Sequence, residues 1–166
     1  KEATIAFGTK VARPTGAGAT TQWTPSTGSN WQNVDEAVAD NASTYNQSST
    51  AGQIDLFTKP AFSTLGLHAG TIPVTDFYFT YARTATGGTT PKLRFVCRVG
   101  GVNYFTSAFD LENDTSWHNT GTAFQQNPAT GASWTVAEWD AAQFGYELNV
   151  APGAGAADRR RAPARQ

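Results

Sequence analysis

Carboxylates, imidazoles and a lone thiol are the reactive groups of this chain, and their spacings argue against the reactions they would serve. A glycosidase needs two carboxylates flanking the scissile bond. Glu138 and Asp140 are two residues apart on a stretch that reads as helix, which aims them to different sides. Asp110, Glu112 and Asp114 have strand-like spacing but fall in a turn-rich segment. His68 and His118 stand fifty residues apart with no Cys or His at ligand spacing, so no zinc site is expected. Cys97 sits in an apolar alternation, as inert packing does. Neither a Gly-x-Ser-x-Gly elbow nor a Gly-x-x-x-x-Gly-Lys phosphate loop occurs. Asp35, Glu36, Asp40 and Asn41 are the oxygen ligands that calcium takes, but their order lacks EF-hand spacing, and they read as solvated turn formers. The expectation is a protein with no catalytic residues, no metal site and no cofactor.

Two sets of side chains suit binding. Trp23, Trp31, Trp117 and Trp134 lie outside the regular core pattern, where an indole either covers the end of a sheet or offers a face to a sugar. Trp31 and Trp117 are the candidate sugar-stacking residues. The second set is Arg159, Arg160, Arg161 and Arg165, four guanidinium groups on a Gly- and Ala-rich leash. They can form bidentate bonds to carboxylates of a neighbouring subunit. Residues 1–150 hold eight basic against twelve acidic side chains, a charge of −4, while the last sixteen residues carry +3. A body of that sign makes nucleic acid an unlikely partner.

These groups need a scaffold, and period-two alternation supplies one. Phe77, Phe79 and Tyr81 alternate with Tyr78 and Thr80; Leu93, Phe95, Cys97 and Val99 alternate with Arg94, Val96 and Arg98. Both apolar sets are predicted to face the core together. Gly100-Gly101 reads as a hairpin turn into a strand over 102–109, so three antiparallel strands are expected in succession. Trp117, Thr122 and Phe124 mark another strand, and Ile54, Leu56 and Phe57 one more. Residues 23–34 suit a strand, a turn and a second short strand; 35–50 read as a long polar loop. In residues 127–150, Asn127-Pro128 and Thr130-Gly131 are turn dipeptides, and Thr135 with Glu138 is a capping box opening a short helix over 136–143. Gly145 stands where a helix stops, and Tyr146, Leu148 and Val150 then alternate as a half-buried strand.

The totals agree with this pattern. Charged residues make up only 15% and the chain is rich in Thr, Ser, Asn and Gly, as in twisted sheets with many turns. Ten Phe, five Trp and five Tyr are too much apolar surface for a chain that stays unfolded. A single cysteine excludes an intramolecular disulfide. No apolar run reaches the eighteen residues of a membrane span and no signal peptide is read at the start, so the chain is expected to be soluble and to have no membrane partner. The expected fold is all-β, an antiparallel β-sandwich of jelly-roll or concanavalin-like type, with seven to nine strands and one short helix. Its divisions are an N-terminal arm over 1–19, the sandwich over 20–150 and a flexible basic tail over 151–166.

Three segments carry a resemblance: TQWTPSTGSNWQNVDE, the run Tyr45…Ser48-Ser49-Thr50…Asp55-Leu56-Phe57, and NPATGASWTVAEWDAAQFGYEL. In this order they resemble β-sandwich virion structural proteins of tailed phages and prophages, over roughly residues 20 to 150. The resemblance implies a non-enzymatic virion protein, most of all a capsid decoration or cement subunit on the outer surface of the head. Its partners would be the major capsid protein or other virion proteins, and a lattice site suits a homo-oligomer, a dimer or trimer. The alternative is a carbohydrate-binding or tail-associated host-attachment module.

Overall fold

Residues 93–99, with apolar side chains at every second position, form the middle of a sheet. The computed structural model describes residues 10–38, 43–66 and 75–153. Its strands are β1 (Gly16–Thr21), β2 (Thr24–Pro25), β3 (Asn46–Gln47), β4 (Ile54–Thr58), β5 (Thr75–Tyr81), β6 (Lys92–Val99), β7 (Val102–Phe105), β8 (Phe109–Asp110), β9 (His118–Phe124) and β10 (Gln143–Val150). One α-helix, α1 (Val136–Ala141), and two 3-10 turns, Asn30–Asn33 and Phe62–Leu65, complete the elements. A six-stranded sheet runs in the order β1-β4-β10-β6-β7, with β8 also paired to β6. A separate ribbon pairs β5 with β9, and β2 pairs with β3. Every pairing is antiparallel.

The ribbon lies on the large sheet, and the seam is aromatic. Phe77 meets Phe95 edge-on with ring centroids 5.5 Å apart, and Phe79 lies 4.8 Å from Phe95 and 5.2 Å from Tyr146. Leu93, Phe95 and Cys97 are buried, as is Tyr81, and Phe77, Phe79 and Val99 pack against them as the alternation predicts. Phe62, Trp134 and Trp139 belong to the same core cluster, together with Phe124 and Phe144. The protein is thus an all-β antiparallel sandwich, with a single short helix among the described residues.

Several local expectations change. The strands β5 and β6 do not pair; they lie in different layers, joined through 82–91, so the expected run of three neighbouring strands is broken at its first step. Only the second step is a hairpin, with Val99 opposite Val102 and both turn glycines at positive φ, 58° and 85°. The expected strand over 102–109 splits into β7 and β8 because Thr106 turns inward: its backbone N–H donates to the Phe95 carbonyl and its hydroxyl accepts from the Phe95 N–H. The second strand expected in 23–34 is instead the 3-10 turn Asn30–Asn33. The arm boundary drawn at residue 19 falls inside β1, whose residues between Ala17 and Thr21 bulge away from β4. Across that bulge the Gln143 side chain accepts the Ala19 N–H at 2.8 Å.

The helix is capped as read and shorter than read. Thr135 Oγ1 accepts the Glu138 N–H at 3.2 Å, and Glu138 Oε2 accepts the Thr135 N–H at 2.9 Å. The helix ends at Ala141, since Ala142 is already extended at φ −71°, ψ 147°. Gly145 is not the stop; it lies inside β10, so close to β4 that a Cβ there would sit 1.8 Å from the Asp55 carbonyl oxygen. Nor is β10 half-buried: paired on both sides, it buries Glu147 together with Phe144, Tyr146 and Leu148. Thr135→Ala removes one arm of the capping box and is expected to lower unfolding stability by about 1 kcal/mol in urea melts. An unchanged midpoint would show that the helix is held by Trp139 packing alone.

Candidate functional site

Each acid considered for catalysis is held by a structural partner. Asp110 pairs with Lys92 at 2.9 Å, and Asp114 accepts from His118 at 2.8 Å. Glu112 takes a very short hydrogen bond from the Tyr81 hydroxyl. That bond holds the Glu112 carboxyl below its ordinary range, the His118 contact does the same for Asp114, and the imidazole is raised in return. Beside them Arg83 is buried and donates to Asn113 Oδ1 at 3.0 Å and the Gly87 carbonyl at 2.8 Å, tying two loops to the end of the ribbon. Glu138 closes the capping box, and Asp140 accepts the Phe62 N–H at 2.7 Å. Cys97 is fully buried, and burial pushes its thiol up to about 12, the opposite of what a nucleophile needs.

Among the described residues no cluster of His, Cys, Asp or Glu has the makings of a metal site. In the acidic loop Glu36 accepts from the Thr44 hydroxyl at 2.7 Å. Asp40 and Asn41 lie outside the described residues, as do His68 and all four arginines Arg159, Arg160, Arg161 and Arg165.

The indoles divide. Trp134 is buried with its N–H on the Phe124 carbonyl at 2.8 Å, and Trp23 stands edge-on to Tyr146 at 4.8 Å with its N–H on the Gln53 carbonyl. Both cover the core. Trp31 is half-buried on the 3-10 turn beside β1, whereas Trp117 is 37% exposed just before β9. The two candidate sugar-stacking residues therefore stand beside different sheets. Lys59 was not singled out from sequence, yet its ammonium donates to the Trp139 and Ala142 carbonyls at the end of α1 and lies 3.8 Å from the Trp139 ring centroid. Burial pulls it down to about 8, against the pull of Asp140.

The feature sequence reasoning missed is a buried polar knot around Asp55. Its carboxylate is wholly buried and accepts from the backbone N–H groups of Gln22 and Trp23 at 2.8 and 2.9 Å and from the Asn30 amide at 2.6 Å. Asn46 donates to the Asn30 carbonyl and to the Tyr146 hydroxyl, and Asn33 donates to Asn46 and to the Tyr45 carbonyl. Burial raises the Asp55 carboxyl, outweighing the three hydrogen bonds that oppose the shift; burial and the Asp55 charge together raise Tyr146. One signal was present: period two puts Asp55 on the core face with Phe57, an acid where an apolar side chain belongs. The knot joins residues 22–33, 45–46, 55 and 146 through hydrogen bonds between its own groups, and the Asn33 amide oxygen is buried within it without a partner among the described residues. Compared with known proteins, the chain matches no family model, no curated protein and no solved structure.

Proposed function

We propose that this chain is a non-enzymatic structural protein of a phage virion, a decoration or cement subunit that binds the outer surface of the capsid and stabilises the particle. The observation that carries the reading is the knot. The three segments that resemble phage sandwich proteins are far apart in sequence, and each contributes to one hydrogen-bonded unit: Trp23, Asn30 and Asn33 from the first, Tyr45 and Asp55 from the second, Tyr146 from the third. The three segments therefore meet in one framework of this fold. The carboxylates held by structural partners fit a protein whose work is binding.

In this reading the partner is the major capsid protein, the unit is a dimer or trimer, and Arg159, Arg160, Arg161 and Arg165 engage carboxylates of a capsid neighbour. Gly153 donates to the Thr89 carbonyl and is the last described residue, so deletion of 154–166 leaves that contact in place. The test is co-sedimentation of the full chain and the truncated chain with undecorated particles across a salt series. The full chain is expected to bind and to raise the particle melting temperature. The truncated chain is expected to bind more weakly and with a shallower salt dependence, because exposed charge pairs are screened by salt. Absence of binding by the full chain overturns the reading. Equal binding with equal salt dependence removes the tail from it and leaves the grip to the sandwich.

A further inference from the structure

The outer face of the β5–β9 ribbon holds an aromatic ring that the fold itself does not use. Residues 76, 78 and 80 of β5 and 119, 121 and 123 of β9 face outward, directly opposite one another. Tyr78 is 69% exposed, the most exposed aromatic side chain among the described residues. It is not loose, however. Its register partner is Gly121, and a Cβ there would meet Tyr78 Cδ1 at 2.2 Å and Cε1 at 2.3 Å. The ring therefore lies over the glycine, with one side sealed by the ribbon and the other open to solvent. Polar groups stand on either side. Thr80 donates its hydroxyl to Asn119 Oδ1 at 2.7 Å, which holds the Asn119 amide and leaves its NH2 as a donor. Asp76 places a carboxylate two residues before the ring, on the same face. Trp117, 37% exposed, lies immediately before β9 and four residues from Gly121.

We propose that this face is a binding site for a neutral oligosaccharide, with Tyr78 as the stacking platform and Trp117 as a second one. A pyranose has an apolar side of axial C–H bonds, which suits the electron-rich face of an aromatic ring, and a rim of hydroxyls, which suits donors and acceptors beside that ring. Asn119 supplies the donor; Asp76 and the Thr80 oxygen supply acceptors. A ring already held against Gly121 loses little freedom when a ligand arrives. The other ligand of aromatic platforms, single-stranded nucleic acid, needs cations along its backbone, and neither β5 nor β9 contains a Lys or Arg. A second exposed ring four residues along the chain from Gly121 suits a chain of sugars better than a monosaccharide. This site is independent of the knot and of the capsid reading.

The test uses the full chain on an array of defined neutral oligosaccharides, followed by affinity electrophoresis in gels containing the soluble polysaccharide of the best class. Wild type is expected to bind a restricted set. Tyr78→Ala is expected to weaken binding about tenfold or more while melting close to wild type, because the side chain is mostly exposed. Tyr78→Phe keeps the platform and is expected to stay within about twofold of wild type. Trp117→Ala should weaken longer oligosaccharides and spare the shortest ligand bound. The proposal fails if wild type binds no oligosaccharide on the array, or if Tyr78→Ala binds as wild type does. It fails equally if Tyr78→Ala abolishes particle co-sedimentation in a protein that binds no glycan, which would make the face a protein-docking surface.

Discussion

Phe95→Ala is expected to lower the unfolding free energy by about 3–5 kcal/mol, a large part of the stability of a domain of this size. Phe95 is 3% exposed at the middle of the seam, with Phe77, Phe79 and Phe109 around it at ring distances of 5.5, 4.8 and 6.0 Å. These rings come from both layers. Removing the central one leaves a cavity that neither layer closes alone, because each is held by its own backbone ladder. Val102→Ala is the control: Val102 is 54% exposed at the hairpin end, and its loss should stay within about 0.5 kcal/mol. Equilibrium urea unfolding of the two variants makes the comparison. Equal midpoints would mean that the two layers are not joined through Phe95.

Asp55→Ala is expected to cost on the order of 3–5 kcal/mol, by a different mechanism. The substitution opens little volume but leaves the Gln22 and Trp23 N–H groups and the Asn30 amide without the acceptor they share. Asp55→Asn should cost less: one oxygen still accepts both backbone donors, although the new amide faces that of Asn30. The pair also separates charge from shape. Burial raises the folded-state pKa of Asp55 above its ordinary 3.8, so the native protein holds this proton more tightly than the unfolded chain. The resulting contribution is fully present below 3.8 and is lost as pH rises through the raised folded value. The stability difference between wild type and Asp55→Asn is therefore expected to be largest in acid and to shrink across that window. Taking the difference cancels Glu112, Asp114 and Glu138, whose lowered carboxyls act in the opposite sense. A difference that grows with pH would mean that the hydrogen bonds outweigh the burial.

How far the chain was legible depended on the range of the interaction that settles each feature. The phase of β6 was readable because side-chain direction along a strand repeats every two residues, and one slip would expose Leu93, Phe95 and Cys97 together. The Thr135–Glu138 cap was readable because both bonds close within three residues. Gly145 was misread because a glycine demanded by a helix stop and one demanded by close approach of a neighbouring strand are the same residue; only the Asp55 carbonyl distinguishes them. By itself, then, the sequence determined an antiparallel all-β protein with one capped helix, and the core-facing sets of β5 and β6. Tertiary structure alone decided that β5 leaves β6 for β9, that β10 inserts between β4 and β6, that four distant segments tie around Asp55, and that Tyr78 comes to rest on Gly121. Alternation and caps are short-range and recorded in neighbouring residues. Strand partners are chosen by which apolar faces bury each other best across the whole chain, and period two is the same for every candidate partner.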